Sequence, residues 1–155
     1  MKNKFRAKGA RSNEWIYGAY LKMLPYTPAP LRTSEPSESE YKHLIIKEGF
    51  SDWNMPRGIE AFDVLPETVG QCTGFKDKNN KFIYEGDILK AYYLNSDTNE
   101  TDFDLMIADF NKYMCAFGLV GVKTKFFELF AEMEYIQEEY EVIGNIYDNK
   151  KLLEK

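Results

Sequence analysis

The feature that most limits the fold of this chain is a series of short extended segments. Turn-forming residues separate these segments at a spacing of roughly ten residues. The segments are rich in aromatic and β-branched residues, as in residues 14–21 and 88–94. Glycine, asparagine and aspartate separate them, as in residues 76–80 and 85–87. Strand-like segments at this spacing, with no internal repeat, predict a mainly β (β-rich α+β) fold built as a small barrel or sandwich.

The chain has 155 residues, which fits a single domain over residues 1–155. We predict that residues 1–24 form an N-terminal strand pair and that residues 66–155 form the core of a barrel. Between them, residues 25–40 hold four prolines and no apolar period, which predicts a mobile loop. Asp148 and the residues after the last strand predict a short C-terminal helical turn.

Composition excludes several classes of function. Cys72 and Cys115 are too few for a disulfide scaffold, and His43 is the only histidine, so no zinc site or cofactor is predicted. No apolar run approaches the about 20 residues that a membrane span needs, and no secretory signal opens the chain, which predicts a cytoplasmic protein. His43 is also the only imidazole base, and no nucleophile elbow or phosphate-binding loop accompanies it. We therefore predict no enzyme and no catalytic residues.

Charge is unevenly distributed along the chain. Residues 1–40 carry seven basic and four acidic residues, whereas residues 41–155 carry thirteen basic and twenty-one acidic ones. The first basic residues alternate along the chain, which is typical of the solvent face of a strand. We expect them to pair with the acidic residues that follow in the chain. These basic residues are Lys2, Lys4, Arg6, Lys8 and Arg11. Trp53, in an irregular stretch, is expected to cover an edge of the core.

Two segments carry a more specific signal. Residues 66–89 read PETVGQCTGFKDKNNKFIYEGDIL, and residues 141–149 read EVIGNIYDN. Together with residues 4–7, KFRA, they resemble the YopX family of phage and prophage proteins. Phe75, Asn80 and Lys150 depart from the usual leucine, glycine and proline of that pattern, and none of these changes removes a reactive group.

The resemblance implies a β-rich domain with a small SH3-like barrel, an additional N-terminal β element and an origin in a mobile element. The family has no established activity and no agreed catalytic residues, so no site residue is transferred. The residues themselves favour a structural role for the Gly70–Ile88 motif. Its glycines suit positive φ or close backbone approach, and Asp77 suits a turn in which it bonds the backbone.

Three functions stay open at this point. The leading hypothesis is a phage or prophage accessory protein that binds a host or phage protein and self-associates, because aromatic residues are abundant and catalytic groups are missing. The first alternative is a small barrel that binds nucleic acid, although the acidic charge of residues 41–155 disfavours it. It would use lysines beside aromatic residues: Lys76, Lys78, Lys81, Lys90, Tyr84, Tyr92 and Tyr93. The second is a carboxylate-based metal enzyme that uses Asp77, Glu85 and Asp87.

Overall fold

The computed structural model describes residues 4–26, 34–49, 53–55, 58–94, 96, 100–130 and 136–154. Part of the predicted loop, residues 27–33, lies outside this set. The described residues form β1 Phe5–Lys8, β2 Trp15–Met23, β3 Lys42–Glu48, β4 Ile59–Asp63, β5 Gly70–Lys76, β6 Phe82–Tyr84, β7 Asp87–Leu94, β8 Thr101–Asn111, β9 Ala116–Gly121, β10 Phe127–Leu129 and β11 Tyr140–Asn145.

Helical structure in the described part of the chain is limited to single turns. The described residues contain one α-helical turn, α1, and three 3-10 turns: Ile136–Glu139, Glu38–Glu40, Pro66–Thr68 and Lys150–Leu153. The mainly β class and the short C-terminal helical turn predicted from the sequence are therefore confirmed. No helix among the described residues is long and apolar enough to cross a membrane.

The chain divides into two compact units, Met1–Gln71 and Cys72–Lys155. In the first unit the strands lie in the order β4-β3-β2-β1, all antiparallel, and the first residues of β5 pair with β1. A bridge between Gly9 and Val64 joins the end of β1 to the residue after β4. The buried core of this unit contains Ala7, Ile45 and Val64, with partly buried residues packed around them.

The second unit is a five-stranded antiparallel sheet in the order β10-β9-β8-β7-β11, together with the pairing of β5 and β6. One face of the sheet carries the core: Ile83, Leu89, Met106, Ala108, Leu119 and Phe130. β10 and β11 lie at the two edges, and no described pair joins them. Closure into an SH3-like barrel therefore stays a prediction of the family resemblance.

Some sequence-based expectations are wrong. Arg6 and Lys8 are buried rather than on a solvent face, and the Arg6 guanidinium lies 4.7 Å from the ring centroid of Trp15. Trp53 is 95% exposed, so it covers no core edge. In the sequence, Asn111 and Lys112 predict a two-residue hairpin turn. The turn between β8 and β9 instead spans four residues, 112–115.

Candidate functional site

One face of the first sheet is apolar across three adjacent strands. Ala19 lies opposite Ile46 in the β2–β3 ladder, and Ile46 lies opposite Ala61 in the β3–β4 ladder. Since directly opposite residues share a face and side chains alternate along a strand, every second residue joins them there. We call the apolar members of this set the apolar face: Tyr17, Ala19, Leu21, Met23, Leu44, Ile46, Ile59 and Ala61. Three exposed charged residues lie on the same side of the sheet: Lys42, Glu48 and Asp63.

The apolar face is open to solvent, whereas the other face of the same sheet carries the core. Tyr17 and Leu21 are each 38% exposed, Met23 is 40% exposed and Ile59 is 79% exposed. In contrast, Ile45, which points away from this face, is fully buried. Several large apolar side chains exposed side by side are unusual on a monomeric surface and are typical of a binding surface.

Two shallow cavities open along this part of the sheet. One, of about 530 Å³, is lined by apolar residues and by two charged ones: Tyr17, Gly18, Ala19, Ile46, Ile59, Lys47 and Glu48. The other, of about 670 Å³, also includes Tyr17 and continues towards Trp15. The surface is therefore uneven, with recesses that apolar side chains of a partner could fill.

The Gly70–Ile88 motif has a structural role, which centres on Asp77. This residue is 2% exposed, and its Oδ1 accepts hydrogen bonds from the backbone N–H groups of Asn79 and Lys81, each at 2.9 Å. Its Oδ2 accepts a third bond, at 3.0 Å, from the backbone N–H of Val142 in β11. Asp77 thus shapes the turn and ties it to the edge strand, which agrees with the structural interpretation of the motif.

The other carboxylates of the metal-enzyme alternative do not form a visible cation site. Asp87 is 1% exposed, and its Oδ2 accepts a bond of 2.8 Å from the backbone N–H of Tyr84. Glu85 is half-buried in the tight turn between them. Within the described ranges, no group of three or more His, Cys, Asp or Glu side chains is arranged to hold a metal ion. The oxygens of Asp77 and Asp87 serve the backbone instead.

The lysines of the nucleic-acid alternative pack against aromatic rings of their own unit. Lys78 Nζ lies 2.8 Å from Glu141 Oε2 and 4.0 Å from the ring centroid of Tyr92, whose hydroxyl also donates to Glu141. The hydrogen bond from Lys78, followed by that from Tyr92, lowers the pKa of Glu141 below its usual 4.5. Lys90 lies over Phe103 in the same way.

The other lysines and tyrosines of the nucleic-acid alternative differ in how much of each side chain is exposed. Lys76 lies over Phe82, Tyr84 is buried, Tyr93 is 43% exposed and Lys81 is exposed. Rings already covered by a cation present less surface on which a base could stack. The structure therefore places lysines beside aromatic rings, as the sequence suggests, but Lys76, Lys78 and Lys90 cover rings of their own unit.

His43 is a buried core histidine. It is 8% exposed, and its Nδ1 lies 2.6 Å from the Tyr20 hydroxyl. Its Nε2 lies 3.3 Å from Glu38 Oε1, which in turn is paired with Lys22. Burial raises the pKa of Tyr20. Its Nδ1 is therefore hydrogen-bonded to Tyr20, whereas its Nε2 is buried without a hydrogen bond among the described residues. These contacts bring no candidate nucleophile to His43 within the same residues.

Comparison with known proteins identifies the family of this chain and one solved structure with a similar fold. The chain belongs to the YopX family, because the family model, YopX protein, matches residues 4–154. Among solved structures it is similar to protein EF1440 from Enterococcus faecalis, with a TM-score of 0.50, 24% identity and 99% of each chain covered. That likeness shows the fold alone. The sequence matches no curated protein.

Sequence reasoning missed the apolar face. The alternation of Tyr17, Ala19, Leu21 and Met23 along β2 was the available signal, since every second residue in that stretch is apolar. The width of the face was not recognisable without β4, a strand whose five residues Ile59–Asp63 include two acids. The pairing of β4 with β3 converts one alternating strand into a three-strand surface.

Proposed function

We propose that this protein is a non-enzymatic module that recognises another protein through the apolar face of its first unit. The observation that carries the proposal is the exposure of large apolar side chains side by side on three paired strands, above all Tyr17, Leu21, Met23 and Ile59. Burial of such side chains stabilises a complex by about 25 cal/mol for each Å² of apolar surface removed from water.

The chemistry of the described residues favours binding over catalysis. The only imidazole of the chain, His43, is buried against Tyr20, and the carboxylates of Asp77 and Asp87 accept backbone hydrogen bonds. None of these groups points to a reaction. A rigid sheet with apolar side chains, on the other hand, needs no reactive group to recognise a partner.

The family resemblance suggests the biological context in which this function is used. Because the YopX resemblance implies a phage or prophage origin, we propose that the protein is an accessory factor whose partners are proteins present during phage growth. The net charge of the chain is −5, which disfavours nucleic acid and leaves proteins as the class of partner.

Affinity capture with matched variants tests the proposal. Tagged wild type, a Leu21→Lys/Ile59→Lys variant and a Tyr113→Lys variant are used to capture proteins from host lysate during phage growth, with and without nuclease. Tyr113 is fully exposed and lies in the other unit, so it controls for the loss of any exposed apolar residue. We expect wild type and Tyr113→Lys to recover the same protein in both conditions and the face variant to lose it.

Two outcomes contradict the proposal. Recovery that is unchanged in the face variant means that the apolar face is not the binding surface. Recovery that vanishes with nuclease means that nucleic acid mediates the interaction, and the nucleic-acid alternative then takes first place. Thermal unfolding of each variant, followed by circular dichroism, establishes that the lysines have not unfolded the first unit.

A further inference from the structure

We infer that the partner binds by strand addition: an extended segment of another protein pairs with the outer edge of β4, antiparallel to it, and continues the apolar face by one strand. The inference rests on the proposed function and adds the form of partner that this surface takes. In strand addition, backbone hydrogen bonds supply affinity, and recesses beside the edge select the side chains at alternate positions.

The register of β4 determines which of its backbone groups face away from β3. The Val64 N–H donates to the His43 carbonyl at 3.0 Å, and the Gly49 N–H donates to the Gly58 carbonyl at 2.8 Å. Because residues of an antiparallel pair alternate in their hydrogen bonding, every second residue from 58 to 64 bonds to β3. The backbone groups of the intervening residues point outward: Ile59, Ala61 and Asp63.

The outer edge of β4 is closed at one end. The Ala10 N–H donates to the Asp63 carbonyl at 2.9 Å, which agrees with the outward orientation of that residue and ends the open stretch there. The outward N–H and C=O groups of Ile59 and Ala61 form no hydrogen bond with any described residue, and both residues are exposed. An unpaired strand edge of this kind is a template for another extended chain.

The other edge strands of the two described sheets are shorter or covered. β6 and β10 have three residues each. On β11, the Tyr140 carbonyl accepts a hydrogen bond of 2.9 Å from the Lys78 N–H, and the Val142 N–H donates to Asp77. Within the part of the chain that the structure describes, β4 is therefore the edge best suited to receive a strand.

The recesses beside β4 fit an apolar side chain at every second position of the added strand. Residues opposite Ile59 and Ala61 project onto the apolar face. The cavity of about 670 Å³ that Tyr17 lines also includes Ala61 and Asp63, so it reaches the edge of the sheet. The cavity of about 530 Å³ includes Ile59 and Ile46. Large side chains, such as isoleucine, therefore suit these two positions of the segment.

The charges nearest to the open edge are acidic on the side of the apolar face. Glu48 lies opposite the first residue of β4, and Asp63 is its last residue, whereas Lys42 lies at the far end of β3. All three are exposed. On the opposite side of the sheet, Glu60 is paired with Lys47 at 3.9 Å. Basic residues on both flanks of the apolar positions are therefore favoured in the segment.

Fluorescence anisotropy with a labelled peptide tests the inference. The probe is the peptide KTITITK, in which the isoleucines and both lysines share one face of an extended strand. We expect saturable binding with a dissociation constant below about 1 mM. In the antiparallel pairing, the isoleucine N–H groups face β4 and the threonine N–H groups face solvent. N-methylation of both isoleucines should weaken binding about tenfold or more, and N-methylation of the first two threonines by less than about twofold.

A matched pair of protein variants tests the same edge from the other side. Ala61→Pro removes an N–H that points away from β3, a position at which edge strands tolerate proline. It should weaken binding of KTITITK about tenfold, whereas Ala61→Ser, which keeps the N–H, should stay within about twofold of wild type. Circular dichroism establishes that both variants are folded. In wild type, the bound peptide should slow amide hydrogen exchange at Ile59 and Ala61 about tenfold.

Two results overturn strand addition. One is the absence of KTITITK binding up to about 1 mM. The other is equal binding of the isoleucine-methylated peptide, which needs no change to the protein and so stays decisive if Ala61→Pro unfolds. If capture from lysate still depends on Leu21 and Ile59 in either case, the proposed function stands without strand addition. Capture that is independent of the apolar face, together with no peptide binding, overturns both.

Discussion

Asp77 accepts a hydrogen bond at 3.0 Å from the backbone N–H of Val142, a residue 65 positions later in the chain. The same carboxylate also holds the turn at Asn79 and Lys81. One buried side chain therefore fixes the hairpin after β5 and connects it to β11. The two segments that carry the family signature meet at this hydrogen bond.

Replacement of Asp77 by asparagine should destabilise the protein strongly. The amide keeps one acceptor oxygen but presents an NH₂ group where the second oxygen was, so a backbone N–H loses its partner in a buried site. We expect a loss of about 2–3 kcal/mol in the free energy of unfolding, measured by urea denaturation. Asp109→Asn is the matched control, since Asp109 is exposed and bonds only its neighbour Phe110 among the contacts described.

The control should stay within about 0.5 kcal/mol of wild type. An equally small effect at Asp77 would mean that its three backbone hydrogen bonds contribute little to stability. The motif would then need an explanation other than the hairpin and its link to β11.

The ion pair between Lys78 and Glu141 should make stability depend on pH at both extremes. The hydrogen bond from Lys78 lowers the pKa of Glu141 from 4.5, so its contribution is present above 4.5 and is lost as pH falls through the lowered pKa. The same bond raises the pKa of Lys78 from 10.5, so that contribution is lost as pH rises through the raised pKa.

Thermal unfolding of wild type and Lys78→Met measures this dependence. The difference between their melting temperatures should be constant from about pH 6 to 8 and should shrink as the pH falls below 4.5 through the lowered pKa of Glu141. Both side chains are about one third exposed, so we expect a small effect. Lys112→Met controls for removal of a lysine, and a pH profile identical to that control would contradict the prediction.

The sequence predicted well the local structure of residues 70–88, which we call the signature hairpin, because these residues bond their immediate neighbours in the chain. Asn80 has a φ of 63° and Gly86 a φ of 81°, as expected of residues that tolerate the left-handed region. Asp77 bonds the turn that it begins. Such contacts span a few residues and leave a readable pattern in the sequence.

The pairing of distant strands was not predictable in this way. Arg6 and Lys8 alternate like residues on a solvent face, yet burial depends on which strands lie beside β1 and not on the period of β1 itself. The apolar face likewise depends on the register of β3 and β4, which the short and partly acidic sequence of β4 does not specify. The candidate site was therefore missed, whereas the β-rich fold class was predicted correctly.

The left-handed conformation of Asn80 predicts an order of stability among substitutions. Asn80→Ala should cost about 1 kcal/mol, because a Cβ without a side-chain amide is strained at this φ. Asn80→Gly, which matches the residue that the family pattern favours, should change stability by less than about 0.5 kcal/mol, since glycine adopts the conformation freely but is more flexible when unfolded. Urea denaturation of both variants measures the order, and an Asn80→Ala variant as stable as Asn80→Gly would contradict the prediction.

Divalent cations should not bind at the carboxylates of the signature hairpin. The oxygens of Asp77 and Asp87 accept backbone hydrogen bonds that a cation would have to displace. We expect no change in melting temperature with Mg²⁺, Mn²⁺ or Ca²⁺ at about 5 mM, well above the range of most specific protein sites. An increase that Asp87→Asn abolishes would support the metal-enzyme alternative.

Nucleic acid should bind weakly or not at all to the second unit. Residues 72–155 carry ten basic and sixteen acidic residues, so this unit repels a polyanion. Lys78 is already paired with Glu141. We expect no change in fluorescence anisotropy of a labelled single-stranded DNA or RNA at about 50 mM salt, where phosphate contacts are strongest. Binding that weakens with added salt and with Lys76→Glu or Lys81→Glu, but not with Lys112→Glu, would contradict this expectation, because those two lysines flank the signature turn and Lys112 does not.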